Sequence, residues 1–429
     1  MVLITIMYYS ISIIFLVLHY KRYSITPSLV FVAMQLLMFS GIIRETTANT
    51  DYGRKLIGIY FLSLLCFLLG VLLINGISNT MRRNTLLTDI KQKDIETNYF
   101  DIEPTKYQMR VVIFLVVISI FICSYYFAQA GINVFVESFK DIFRGDSVIY
   151  ATNRADFTSI SGAGYIYQFR TSILPLLNLY LLLGQNNKVY KKLGIWILPL
   201  TIIFLLGTGQ RNAFVFVVLI SLLNLYLIRK NYKIRINYTA IIILVFTAVF
   251  FLGILTITNG RVSNDSGNVV VATLSSLSSR VFDINQNTAL NAFKYIETQS
   301  TVWGYDWLMM LSDILPGKSG YMPVDRIIFY IAYGNYNGTG PPDIWGSAWY
   351  NWSWLGVTIF PTLLGLIYQG GYRHYRNIPK TKFHVLFYSA LCTHLGMWFC
   401  GGPVVLFNDG VVTVLIMMVV ILYKPIKSI

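Results

Sequence analysis

The chain has 429 residues, of which 55% are apolar and only 12% are charged, about half the roughly 25% charged content of ordinary soluble domains. This composition excludes a soluble globular protein, and the 15% content of Phe, Trp and Tyr excludes a disordered one. The net charge of +15 is compatible with nucleic acid binding, but most basic residues stand in short segments between long apolar blocks, so no nucleic acid partner is predicted.

The apolar blocks are long enough to cross the hydrocarbon core of a bilayer as α-helices, which need about 20 residues each. They do not alternate apolar and polar residues as barrel strands do. The predicted fold is therefore an all-α polytopic integral membrane protein with about 11 transmembrane helices. The predicted spans, in chain order, are 2–20, 28–44, 56–77, 109–129, 165–183, 193–207, 213–228, 239–258, 346–369, 383–400 and 404–423.

Basic residues concentrate on one side of these spans. Counted over alternate loops, one side carries 21 Lys and Arg residues and 5 Asp and Glu residues. The other side carries 13 Lys and Arg residues and 14 Asp and Glu residues. Because basic loops stay in the cytoplasm, the first side is predicted to be cytoplasmic, with the N-terminus outside and the C-terminus inside. The cytoplasmic loops are short and hold no Walker A or dinucleotide-binding pattern, which argues against an ATP-driven pump.

The predicted outer face has two long loops, 130–164 and 259–345. The second is an 87-residue loop in which Val269–Phe282 and Trp303–Leu315 are apolar enough to form short helices on the membrane surface. Long loops of this kind are usually functional. The chain is accordingly divided into helices 1–8 within 1–258, the outer loop 259–345, and helices 9–11 within 346–429.

Arginines near the outer ends of the spans are candidate anion ligands. Arg170 stands just inside span five, and Arg211 follows glycines in the turn Gly207–Asn212 between spans six and seven. Ionisable groups in a membrane usually face a polar cavity, and a guanidinium is well suited to bind phosphate or diphosphate. Arg261, Arg280 and Arg326 lie in the long loop. The alternative is a surface arginine held by lipid phosphate or by an acidic neighbour.

Two further residues of this face are candidate proton acceptors. Asp343 follows Pro341-Pro342, and His394 lies in the outer half of span ten. The alternatives are a helix N-cap for Asp343 and a core histidine for His394. No Asp-x-Asp or Glu-x-Asp pair occurs in an outer loop, and the four cysteines have no metal-ligand spacing. A metal-independent reaction without a cofactor is therefore predicted.

Two patches resemble bacterial oligosaccharide repeat-unit polymerases, the Wzy-type polymerases of O-antigens and capsules. Within residues 338–367, Pro341-Pro342, Gly346, Asn351 and Gly356 are similar to the family pattern of Pro-Pro, a glycine, and a span that opens with Asn-x-x-x-x-Gly. Gly209-Gln210-Arg211 is similar to a Gly-Ser-Arg turn of that family, with Gln in place of Ser. The span count and the large outer loop late in the chain also fit.

The resemblance implies an enzyme of the bacterial inner membrane that acts at its periplasmic face. Such a polymerase transfers a growing glycan from undecaprenyl diphosphate to the non-reducing end of a lipid-linked repeat unit, and it works beside a flippase and a chain-length regulator. On this basis Arg211 is the first candidate for diphosphate binding, followed by Arg170 and Arg280. Asp343, Asp283 and His394 are candidate bases. The candidates for sugar stacking are Trp303, Tyr305 and Tyr336, which would equally suit an interfacial aromatic belt.

Two other functions stay open. An O-antigen ligase shares the topology and the lipid donor, and only the Pro-Pro and glycine patch favours the polymerase. A polysaccharide flippase or other transporter would have 12 to 14 spans of similar length with short loops, which the 87-residue outer segment does not fit.

Overall fold

The structure, a computed structural model, describes residues 1–83, 104–137, 162–184, 187–210, 212–232, 283–312, 320–336, 338–378 and 380–422, together with positions 140, 157, 160, 275, 278–279 and 314–315. Within these ranges the regular secondary structure is helical, and one isolated antiparallel bridge joins the backbones of Asp343 and Cys400. The prediction of a helical fold is confirmed.

The first seven helices are α1 (Val2–Tyr23), α2 (Pro27–Arg44), α3 (Asp51–Arg83), α4 (Lys106–Ala130), α5 (Ala163–Gln168 and Leu174–Leu179, with π-helical turns at Phe169–Ile173 and Tyr180–Gly184), α6 (Lys188–Leu206) and α7 (Asn212–Tyr232). The later helices are α8 (Asn285–Glu297), α9 (Tyr305–Ser312), α10 (Val324–Tyr333), α11 (Ile344–Asn377), α12 (Lys382–Gly396), α13 (Val404–Asn408) and α14 (Val411–Leu422). A short 3₁₀ turn, Thr46–Asn49, precedes α3.

Six helices of the described ranges are long and apolar enough to cross a membrane. They are α1, α2, α3 over Asp51–Gly76, α4, α6, and α7 over Asn212–Arg229. These six coincide with predicted spans one to four, six and seven. Predicted span five falls on α5, and the span predicted at 239–258 lies outside the described residues.

The last three predicted spans are less regular than expected. The backbone of α11 is kinked at Ser353, where φ is 50° and ψ is −129°. The helix predicted to reach residue 400 ends at Gly396, and the block 404–423 forms two helices separated by Asp409 and Gly410. Gly410 has φ of +87°, a conformation that side-chain-bearing residues rarely adopt. Predicting one continuous span there was wrong because hydropathy averages over a single break.

Two compact units make up the chain. The first unit comprises residues 1–89, 277–378 and 394–406, and α3 packs along α11 within it. A Cβ added at Gly70 or at Gly365 would collide with the backbone of the facing helix. Small residues allow such close approach between helices in a membrane, where apolar burial alone gives little specificity.

The second unit comprises residues 90–276, 379–393 and 407–429. Its apolar core includes Leu174, Leu177 and Leu181 of α5, together with Val112 of α4 and Val414 of α14. The outward faces of α4 and α6 present large apolar side chains such as Phe121 and Trp196, as expected of helices surrounded by lipid.

Candidate functional site

In the second unit, the Arg170 guanidinium is bound at the C-terminal end of α6. The side chain is only 2% exposed, and its Nη1 donates to the carbonyl oxygens of Leu205 at 2.9 Å and Phe204 at 3.3 Å. Nη2 donates to Gln210 Oε1 at 3.0 Å. The final carbonyls of a helix lack intrahelical partners and carry partial negative charge, so they stabilise a cation there.

The turn that follows α6 is held from a second direction by the segment after α4. The Val134 amide donates to the Gly207 carbonyl at 2.7 Å, and Asn133 Nδ2 donates to the Ile203 carbonyl at 3.3 Å. Gly209 has φ of +68°, and its amide donates to the Leu206 carbonyl at 2.8 Å. Arg211, the next residue after Gln210, lies outside the described residues, as do Arg261 and Arg280.

Asp409, a carboxyl group that sequence reasoning did not select, also belongs to the second unit and lies two residues before α14. Gln168 of α5 fastens this turn, since its Nε2 donates to the Phe407 carbonyl at 2.8 Å and its Oε1 accepts from Thr413 at 2.7 Å. The Asp409 carboxylate has no hydrogen bond or ion pair with the part of the chain that the structure describes. In the sequence, Asp409 is recognisable as an acid inside an otherwise apolar block. Membrane proteins seldom keep an acid in such a place without a function.

In the first unit, Asp343 caps the N-terminus of α11, as the alternative interpretation of the sequence had it. Its Oδ1 accepts from the Gly346 amide, and the residue is 1% exposed. Burial raises the pKa of Asp343 to about 6, and hydrogen bonds from Gly346, from the Tyr60 hydroxyl and from the Trp345 backbone partly oppose that rise. The carboxyl group therefore lies away from solvent, where its contacts serve the fold.

Asn351 connects α11 to the region around α9. Its Nδ2 donates to the Ser347 carbonyl at 2.9 Å and its Oδ1 accepts from the Trp307 amide at 3.2 Å, while its own carbonyl accepts from Gly304 at 2.9 Å. Gly356 is needed for close approach, since a Cβ there would collide with the Ala348 carbonyl. The residues of the Pro-Pro and glycine patch thus organise the first turns of α11.

Asp306 is a second buried carboxyl group that sequence reasoning did not select. Its Oδ1 accepts from the Tyr321 hydroxyl at 2.9 Å and from the Val324 amide at 3.0 Å. Burial raises its pKa, and the hydrogen bonds from Val324, Tyr321 and Asn351 act in the opposite direction. These contacts show that Asp306 links α9 to the start of α10.

The surroundings of the other two predicted bases, Asp283 and His394, also indicate roles in the fold. Asp283 pairs with Arg44 at 3.0 Å, and both side chains are more than half exposed, so the pair adds little stability. His394 is buried near the end of α12, and Arg326 is exposed on α10. Asp283 and Asp343 make their described polar contacts with different partners, the Arg44 guanidinium and the Gly346 amide.

Several aromatic side chains between α8 and α11 are exposed in the first unit. Trp303 is 71% exposed, and Tyr305 and Tyr336 are each about half exposed. Tyr336 stacks on Tyr330 with 4.3 Å between the ring centroids, and Tyr305 contacts the edge of Tyr321. The helix predicted within 303–315 is present as α9, and its location at the membrane surface stays a prediction. Exposed rings of this kind suit both sugar stacking and an interfacial belt.

Metal binding finds no support in the described ranges, where no group of three or more His, Cys, Asp or Glu side chains is arranged to hold an ion. That observation leaves metal independence a prediction.

Comparison with known proteins identifies the family. A family model described as O-antigen polysaccharide polymerase Wzy matches residues 1–319. Comparisons with curated proteins and with solved structures gave no match. The matched region includes Arg170 and the Gly209-Gln210-Arg211 turn, whereas the patch at 338–367 lies beyond it. Because the match covers well over half of the chain, this membrane-embedded protein belongs to the Wzy family of O-antigen polysaccharide polymerases.

Proposed function

We propose that the protein polymerises undecaprenyl-diphosphate-linked oligosaccharides at the periplasmic face of the bacterial inner membrane. The anomeric carbon of the growing glycan loses its bond to the lipid diphosphate and forms a glycosidic bond to the non-reducing end of a lipid-linked repeat unit. The acceptor hydroxyl gives up a proton, and undecaprenyl diphosphate leaves. The donor is already activated by its diphosphate, so the proposal includes no nucleotide sugar, metal or cofactor.

The observation that carries the assignment of the site is the Arg170 contact with the end of α6. A guanidinium that is almost fully buried and bound to two carbonyls and Gln210 is poorly placed to bind a lipid diphosphate itself. We therefore assign Arg170 a positioning role and Arg211, the next residue after Gln210, the contact with the diphosphate. A cation held in place before the reaction stabilises the leaving group without reorganisation.

The remaining arginines are secondary candidates. Arg326 is exposed on α10 and available to a second phosphate or to a lipid head group. Arg261 and Arg280 keep the role predicted from sequence, as additional diphosphate ligands.

The proposed base is Asp409 instead of Asp343, Asp283 or His394. The carboxyl of Asp343 caps a helix and that of Asp283 forms an ion pair, whereas Asp409 is partly exposed in a turn that is fastened to α5, the helix that carries Arg170. A base needs a free lone pair within reach of the acceptor hydroxyl. Asp409→Asn is expected to reduce polymerisation by about 100-fold or more, with Asp409→Glu recovering part of it.

The exposed rings of Trp303, Tyr305 and Tyr336 are proposed to stack on sugar faces of the lipid-linked glycan. Substrate delivery by a flippase and length control by a chain-length regulator are also part of the proposal. If the rings serve only as an interfacial belt, their single alanine variants will keep the wild-type distribution of polymer lengths.

Deletion of the gene in its own host tests this function. Surface polysaccharide from the deletion strain is separated on a gel beside the wild type and a strain complemented in trans. A ladder reduced to core plus one repeat unit is the expected result. Loss of every repeat unit with accumulation of long lipid-linked chains would identify a ligase, loss without such chains would favour a flippase, and an unchanged ladder would contradict the proposal.

A further inference from the structure

A cavity of about 390 Å³ lies in the second unit between the starts of α4 and α6. It is lined by Lys106, Met109, Arg110 and Ile113 of the first helix and by Asn187 and Tyr190 at the beginning of the second. The positive-inside pattern puts this end of both helices on the cytoplasmic side. The cavity therefore lies at the opposite face from the reaction proposed above.

Positive charge accumulates around this cavity, and the described residues that line it include no acid. Lys106 and Arg110 are one helical turn apart, a spacing at which like charges repel. Both stand at the positive end of the α4 dipole, and neither α4 nor α6 has an acidic residue in its first turn. Neither side chain has a hydrogen bond or ion pair with residues in the described ranges. An anion in the cavity would relieve this repulsion.

The walls of the cavity change character along α4. The charged groups of Lys106 and Arg110 belong to the first two turns of the helix, and Asn187 and Tyr190 add polar groups from the other side. Met109 and Ile113 supply apolar surface where α4 enters its membrane-crossing stretch. A small inorganic anion would use only the polar part, whereas an amphiphile with a phosphate at interfacial depth would use both.

We propose that this cavity binds an anionic glycerophospholipid of the cytoplasmic leaflet. Lys106 and Arg110 bind the head-group phosphate, and Asn187 and Tyr190 contact the polar substituents of the head group. The part of the acyl chain next to the head group lies against Met109 and Ile113. The site is independent of the polymerisation proposed above, because it concerns the opposite ends of the helices.

Binding is measured by native mass spectrometry of the purified full-length protein in mixed micelles. The probe is phosphatidylglycerol, with phosphatidylcholine at equal total lipid as reference. The Lys106→Gln/Arg110→Gln double variant is expected to lose about tenfold in phosphatidylglycerol binding. The matched control is Lys21→Gln/Arg22→Gln, which removes the same charge from the predicted cytoplasmic end of α1 and should bind like the wild type.

Several outcomes would overturn the proposal. Equal losses in both double variants would show a general effect of charge, and equal binding of the two lipids would remove the head-group specificity. Displacement of the lipid by millimolar inorganic phosphate would indicate a free-anion site. Phosphatidylglycerol binding seen only after Asp101→Asn/Glu103→Gln would show that the chain's own acidic residues neutralise the site.

A second measurement does not depend on the charge variants. A photoreactive phenylalanine analogue at position 190 is expected to crosslink phosphatidylglycerol in the wild-type background, whereas the same analogue at position 20 on α1 should not. Absence of a lipid adduct at position 190 in a protein that keeps its thermal stability would contradict the proposal.

Discussion

Replacing Arg170 by Lys keeps the positive charge but removes the planar fork that reaches two carbonyl oxygens and the Gln210 amide. Hydrogen bonds to a charged group contribute roughly 1.5–3 kcal/mol each. An ammonium retains at most one of the three, so the turn after α6 is expected to lose about 3 kcal/mol of local stability. Arg170→Ala loses all three bonds, whereas Gln210→Ala loses one.

The assay is amide hydrogen exchange of the substrate-free protein in nanodiscs. The amides of Gly207 and Gly209 close this turn by bonding Phe204 and Leu206. A loss of about 3 kcal/mol corresponds to exchange roughly 100-fold faster at these amides. Polymer formation should fall in the same order, with Gln210→Ala least affected and Arg170→Ala most affected.

A different pattern would refute the positioning role of Arg170. If Arg170→Lys and Arg170→Ala lose activity while the Gly207 and Gly209 amides keep their wild-type protection, the guanidinium acts on the substrate directly. The Gln210→Ala variant serves as the internal control, because it perturbs the same turn without changing the charge.

Three further predictions concern the first unit. Asp343→Asn should keep the N-cap and near-normal polymer formation. Asp343→Ala should lower the thermal stability by about 1–2 kcal/mol, because the N-cap is lost. A folded but inactive Asp343→Asn protein would show that the carboxyl has a chemical role. Gly70→Ala should destabilise the protein by about 1–3 kcal/mol in thermal unfolding. Gly58→Ala on the same helix is the control and should not destabilise it, because there is open space around Gly58. Equal effects of the two substitutions would contradict the close contact of Gly70 with α11. Burial raises the pKa of Asp325 to about 6, above its ordinary value of 3.8, so the folded state binds the proton more tightly and stability should fall as pH rises from about 4 to about 6. In melting curves, Asp325→Asn should reduce the dependence of stability on pH between about 4 and about 6. An unchanged dependence would refute its assignment to Asp325.

The membrane helices followed directly from the sequence because each needs only an uninterrupted apolar stretch. The helix breaks did not follow from the sequence. At the Asp409-Gly410 turn, Ser172 approaches Gly410 closely, and a hydropathy pattern contains no such tertiary contact. A hydropathy window that averages over about 20 residues does not register a break of two residues.

The site residues were predictable as chemical types but not in their roles. Arg170 stood out as a cation at the membrane, yet only the structure shows that it binds the carbonyl end of α6. Asp343 stood out because of its neighbours, and its position just before a helix supported the N-cap interpretation that the structure confirms. Asp409 lies in an apolar block of the sequence, and an acid in such a place is itself a signal of function.

The most direct test of the central claim is polymerisation by the purified protein in nanodiscs, supplied only with lipid-linked repeat units from the deletion strain. The wild type should form chains of several repeats and release undecaprenyl diphosphate, and Arg211→Ala should form none. Arg229→Ala, at the other end of α7, is the matched control and should match the wild type. Full activity in a correctly inserted Arg211→Ala protein would contradict the proposed diphosphate site, and no polymer from the wild type would contradict the proposed reaction.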